Sequence, residues 1–145
     1  MDYIPKSLQV LLVEDNEGDV RLIKEAFSES KIDKTFNVAR DGEDALNFLY
    51  GRGKYTERIK PDIVLLDINL PKKNGFEVLE SIKNDPELKK IPVIMLSSSS
   101  SEEHVIKSYD LNANCYVTKP VDFDEYIRAV KIIEDFWFQM AKLPG

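Results

Sequence analysis

A single cysteine, Cys115, among 145 residues leaves no partner for an intrachain disulfide and no thiolate cluster for a metal. Set inside an apolar segment, it reads as a small buried side chain. There is one histidine, His104, which alone builds no histidine-based metal site and reads as a solvent-facing residue of a helix. Long apolar runs are missing: nowhere do about 18 apolar residues follow one another, and the N-terminal MDYIPKSL has neither the basic region nor the apolar core of a signal peptide. The expectation is a soluble, cytoplasmic protein with no membrane role. Positive charge is in deficit, 20 basic against 26 acidic residues for a net −6, which argues against binding nucleic acid through its phosphates. Internal repeats and low-complexity tracts are also lacking.

What is present suits one domain. A hydrophobic fraction of 43% in 145 residues is enough for a single core. The expectation is one domain over 1–145, its core at about 7–135, with a C-terminal helical extension at about 134–145.

Short apolar runs alternate with amphipathic stretches. LQVLLV (8–13) reads as a first strand, and the segment from Glu17 to about Ser28 as a helix on the spacing of Val20, Ile23, Ala26 and Phe27. A weaker strand at Phe36 to Ala39 precedes a helix from Glu43 to Tyr50, ended by Gly51. GRGKYTERIK (51–60) is polar and reads as an exposed loop. The strand before Asp67 follows, then a helix from Gly75 to about Asn84, a strand PVIML (92–96), a helix from Glu102 to Tyr109, a strand ANCYV (113–117) and a last helix from Asp122 to about Met140. Five alternations of strand and helix imply a doubly wound α/β sandwich with right-handed crossovers and a mostly parallel sheet.

The stretch DIVLLDINLP (62–71) organises the rest. Its strand is apolar on both sides, as a sheet covered on both faces requires, and it stops on a carboxylate. Ligands of such sheets bind beyond the carboxyl ends of the strands. Past four of those ends lie Glu14 and Asp15, Asp67, Ser97 and Lys119. Three acids supply hard oxygen ligands suited to Mg²⁺, and clustered carboxylates need a cation among them. A carboxylate can attack phosphorus to give an aspartyl-phosphate, a transfer that needs alignment and neutralised charge more than covalent help. Asp67 is the candidate acceptor, Lys119 and the metal supply positive charge, and Ser97 donates a hydrogen bond to a phosphoryl oxygen. Each residue taken singly has a plainer reading, such as a turn, a loop or a helix cap.

With these motifs in this order, LLVEDN, LLDINLP, PVIMLS and YVTKP, the whole chain resembles the receiver domain of two-component response regulators. The resemblance implies a flavodoxin-like (βα)5 fold of three layers, with a five-stranded sheet in order 2-1-3-4-5. It implies Mg²⁺ held by Asp15, Asp67 and the main-chain carbonyl of Asn69, with Glu14 acting through water, and a cis Lys119–Pro120 bond. It further implies a switch in which Ser97 moves toward the phosphoryl group and Tyr116 turns inward, altering the face made by the fourth helix, fifth strand and fifth helix. The phosphodonor histidine belongs to a partner kinase and is not His104.

The loop GRGKYTERIK, the NCYVTKP segment and the C-terminal EDFWFQMAKLPG resemble a narrower group, the single-domain regulators that partner with phytochrome and related sensor kinases. In that group threonine is common where this chain has Ser97. In the last helix, Tyr126, Val130, Ile133, Trp137 and Met140 make one buried stripe, which leaves Phe136 and Phe138 pointing elsewhere. Leftover aromatic surface marks an interface, and the resemblance points to homodimerisation through Phe136, Trp137 and Phe138.

The expectation is therefore a stand-alone response regulator, not a metabolic enzyme, acting through an unidentified downstream protein. Three alternatives remain. An aspartate-nucleophile phosphohydrolase would use an acid two residues after Asp67, where this chain has Asn69. A nucleotide- or flavin-binding domain would use a glycine cradle where this chain has the acidic Glu14-Asp15. A receiver that has lost phosphorylation and serves only as a scaffold would not need Glu14, Asp15, Asp67, Ser97 and Lys119 together.

Overall fold

In the computed structural model, the described residues are 7–29, 33–55, 57, 59–98, 101–119 and 122–134. Five strands and five helices alternate. They are β1 (Leu8–Val13), α1 (Glu17–Ser28), β2 (Lys34–Ala39), α2 (Gly42–Tyr50), β3 (Ile63–Asp67), α3 (Gly75–Lys83), β4 (Val93–Ser97), α4 (Glu102–Asp110), β5 (Cys115–Thr118) and α5 (Phe123–Glu134), with a 3₁₀ turn at Leu88–Lys90 before β4. All neighbouring strands are parallel and their order is β2-β1-β3-β4-β5. No helix among the described residues is long and apolar enough to cross a membrane.

The two-sided apolar strands explain the layering. Val10 and Leu12, Ile63 and Leu65, Ile94 and Leu96 face α1 and α5, where they pack with Val20, Ile23, Phe27, Tyr126, Val130 and Ile133. The alternate residues Leu11, Val13, Val64, Leu66, Val93 and Met95 face α2 and α3, packing with Leu46, Leu49, Val78, Leu79 and Ile82. Each such side chain, fully buried, stabilises the fold by roughly 1.5–3 kcal/mol before conformational entropy is counted.

Local signals set the helix starts. Asn16 caps α1 by accepting the Asp19 amide, Asp41 caps α2 through the Asp44 amide, and Asn74 with Glu77 makes a reciprocal capping box on α3. Asp122 accepts the Glu125 amide at 2.8 Å at the start of α5. Gly51 ends α2 with φ 67°, the left-handed conformation that favours glycine.

Four details differ from the sequence reading. β2 begins at Lys34, two positions before the apolar run, because a parallel partner strand extends the ladder to Leu8. β5 begins at Cys115 because Asn114 is spent on the turn, its carboxamide oxygen accepting the Val93 amide. Cys115 is half-buried rather than enclosed, since β5 lies at the sheet's edge. The loop after α2 is exposed at most positions but pinned at Tyr55, whose hydroxyl bonds both oxygens of Asp44 at 2.9 and 3.0 Å and whose ring meets Phe48 edge-on at 5.1 Å. The segment after Glu134, with Phe136, Trp137, Phe138 and the expected run to Met140, lies outside the described residues.

Candidate functional site

Parallel pairing brings the strands' carboxyl ends to one edge. Asp67 is the last residue of β3 and only 4% exposed, and Glu14, just past β1, is 1% exposed. Asp15 is exposed beside them, and one carboxylate oxygen from each of Glu14, Asp15 and Asp67 lies within 4.8 Å of the others. Lys119 follows β5. Its ammonium sits 2.5 Å from Glu14 Oε1, 2.9 Å from Asp19 Oδ2 and 3.4 Å from Asp67 Oδ2. Ser97 ends β4, fully buried, and its carbonyl accepts the Lys119 amide at 2.6 Å, so hydroxyl-bearing residue and lysine are tied through the main chain.

The electrostatics follow from burial. Enclosure pushes Glu14 up to about 7, aided by the neighbouring Asp67 and opposed by Lys119. Burial alone would depress Lys119, but the carboxylates of Glu14, Asp19 and Asp67 outweigh it and hold the lysine above its ordinary value, fully charged.

The turn after β3 is shaped by a close approach. A Cβ on Gly75 would lie 2.2 Å from the Asp67 carbonyl oxygen, and the Gly75 amide donates to Ile68 O at 2.8 Å. Asn69 is exposed on this turn and lines a cleft of about 480 Å³ together with Asp15, Phe76 and His104. A groove of about 560 Å³ between α2 and α3, lined by Tyr50, Lys73, Glu77 and Glu80, contains none of the site residues.

The donor set fits a hard divalent cation. Three carboxylates converge, two of them buried, and one lysine does not neutralise them all. Such an ion, when bound, neutralises oxygens of a transferring phosphoryl group.

Every residue expected at the strand ends is brought to this edge. Tyr116 is half-buried in β5 against the α2/α3-side core, and its amide donates to the Tyr109 hydroxyl at 3.3 Å. Pro120 lies outside the described residues, and the Lys119–Pro120 bond with it. His104 corrects the reading of a solvent-facing side chain: it is half-buried, its ring edge-on to Phe76 at 5.7 Å. The reason is that the N-terminal turn of α4 leans on the start of α3.

Asp19 was not singled out in the sequence, yet it holds Lys119. As the third residue of α1 it resembles an ordinary acid in a first helical turn. Its spacing to Ile23, Ala26 and Phe27, all buried, is the signal that places it on the inward face.

Residues 10–131 match the family described as response regulator receiver domain. Over 136 residues the chain is 45% identical to the response regulator Rcp1 of Synechocystis sp., across 94% of this chain and 92% of that one. The crystal structure of the phosphorylated cyanobacterial phytochrome response regulator RcpA matches with a TM-score of 0.91 and 46% identity, covering 96% of this chain and 99% of that one. The Mn²⁺-bound form of response regulator Rcp1 matches with a TM-score of 0.89 and 44% identity, covering 95% and 99%.

Proposed function

This chain belongs to the response regulator receiver family, and from that membership we propose that Asp67 accepts a phosphoryl group from a sensor histidine kinase. An Asp67 oxygen attacks the phosphorus of a phosphohistidine, the P–N bond breaks, and its electron pair leaves with the imidazole nitrogen. Lys119 neutralises a phosphoryl oxygen, and the Ser97 hydroxyl donates to another. Asp15, Asp67 and the Asn69 carbonyl, with Glu14 through water, would hold Mg²⁺, which would supply positive charge to the transferring group. The observation that carries this reading is the Lys119 ammonium, 3.4 Å from Asp67 and packed between buried acids.

Signalling follows from a change of surface. Ser97 closes on the phosphoryl group, Tyr116 turns inward, and the α4/β5/α5 face changes shape for a partner protein. The chain turns over no metabolite, catalysing only its own phosphorylation and dephosphorylation. Likeness to RcpA, a phytochrome response regulator, supports a phytochrome-type kinase as donor. The aromatic run Phe136, Trp137, Phe138 supports homodimerisation.

Acetyl phosphate with Mg²⁺ tests the proposal. The expected result is a mass gain of one phosphoryl group that chelation abolishes. Labelling that persists in excess chelator would remove the metal from the mechanism.

A further inference from the structure

Lys119 leans away from the residue it is expected to serve. Its ammonium lies 2.5 Å from Glu14 and 2.9 Å from Asp19 but 3.4 Å from Asp67, longer than a good hydrogen bond. Closing to hydrogen-bond distance on a phosphoryl oxygen at Asp67 requires Glu14 or Asp19 to yield. Glu14 is the worst candidate, being 1% exposed and held by the Asn16 amide at 3.3 Å. Asp67 carries the phosphoryl group itself. Asp19 stands outside the acidic cluster that fits a metal, and its side chain is 24% exposed, so water takes up its charge at the lowest cost.

The other oxygen of Asp19 has a partner too. Tyr126 of α5 points its hydroxyl at Asp19 Oδ1, 3.3 Å away, while its ring is buried with Val130 and Ile133 against Val20 and Ile23 of α1. A buried hydroxyl that loses its acceptor is costly, so a shift of Asp19 is felt by Tyr126 and by the α1–α5 seam. From α5 the chain runs into the segment carrying Phe136, Trp137 and Phe138.

We propose that Asp19 is a latch: it holds Lys119 back from Asp67 in the unphosphorylated protein, and its release on phosphorylation is carried through the Tyr126 hydroxyl to α5. This route runs along the α1–α5 seam, on the opposite side of the sheet from Tyr116. It rests on phosphorylation of Asp67 and gives the same event a second path to the surface. Asp19 and Tyr126 are positioning residues and touch no reacting atom. By linkage, whatever clamps α5 also alters how readily Asp67 is phosphorylated.

The test uses the full chain and its variants Asp19→Asn, Asp19→Glu and Tyr126→Phe, each first checked by circular dichroism. Two quantities are read: the rate of Mg²⁺-dependent labelling by acetyl phosphate, and the change in amide hydrogen exchange along α5 on adding beryllofluoride. The expected result for Asp19→Asn is labelling faster by roughly two- to fivefold, the scale of one partly exposed ion pair, with the α5 response lost. Tyr126→Phe, which removes one of the two contacts of Asp19 but keeps its pair with Lys119, should label no slower than the unaltered chain and also lose the α5 response, and Asp19→Glu should restore part of it. Slower labelling of Asp19→Asn, or a full α5 response in both Asp19→Asn and Tyr126→Phe, overturns the latch while leaving phosphorylation intact. Failure of the unaltered chain to label at all overturns both.

Discussion

Lys119 and Glu14 form a buried ion pair, Nζ to Oε1, at 2.5 Å. The lysine's side chain is 11% exposed and the glutamate's 1%, so neither charge is well served by water. Removing the lysine therefore strands acids in the interior. Without metal, Lys119→Met should lose roughly 3 kcal/mol of stability. It should also bind Mg²⁺ more tightly, because a repelling cation has gone, yet label poorly with acetyl phosphate. Thermal melts with and without Mg²⁺ check this, and a smaller Mg²⁺-induced rise in Tm than in the unaltered chain would contradict it.

Glu14 gives the site a pH dependence. Burial first, and Asp67 second, raise its carboxyl from 4.5 to about 7 in the folded chain. Between those two values the folded protein keeps a proton that the unfolded chain has released, so this group's contribution to metal-free stability is full below pH 4.5 and is lost as pH rises through about 7. Metal binding has the opposite sign, since it needs the carboxylate. Mg²⁺ affinity should climb from pH 6 to pH 8 and Glu14→Gln should flatten the climb; calorimetric titration at several pH values, with an equal slope in both proteins, would refute the assignment.

Gly75 is required by sterics, not by a left-handed backbone. A methyl group there would sit 2.2 Å from Asp67 O and 2.7 Å from Ile68 Cα, both main-chain atoms with little room to move. Gly75→Ala should cost at least about 2 kcal/mol and displace the turn that carries Asn69. Urea denaturation measures the loss, and a change within about 0.5 kcal/mol would show that the turn yields.

Tyr55 is the pin of the loop that follows α2. Tyr55→Phe removes the hydroxyl from Asp44 while keeping the ring on Phe48, so the expected cost is about 1 kcal/mol with faster amide exchange over 51–57. Unchanged exchange there would mean that ring packing alone holds the loop.

Much of the fold and site was legible because the chemistry sits where apolar runs stop. β1, β3 and β4 are apolar on both faces, and Glu14, Asp67 and Ser97 mark their ends. Periodicity is enough to place such residues, since parallel pairing fixes which end faces which way. Asp19 was harder, because an acid at a helix start has a local explanation and only the phase of α1 turns it toward Lys119. His104 was missed for a related reason: α4 buries only Ser108, so its sequence carries almost no stripe from which a facing residue could be read. Tyr55 depended on a contact between a loop and a helix, which no periodic pattern encodes.

Every step proposed for this chain turns on Asp67 taking the phosphoryl group. Borohydride reduction converts an acyl phosphate to an alcohol, so the chain treated with acetyl phosphate and Mg²⁺, reduced and then sequenced by tandem mass spectrometry, reports the acceptor directly. Homoserine is expected at position 67 alone, and the Asp67→Asn variant should stay unreduced and unlabelled. Homoserine at position 15 or 19, or 2-amino-5-hydroxypentanoic acid at position 14, in its place, or equal labelling of Asp67→Asn, would contradict Asp67 as the acceptor.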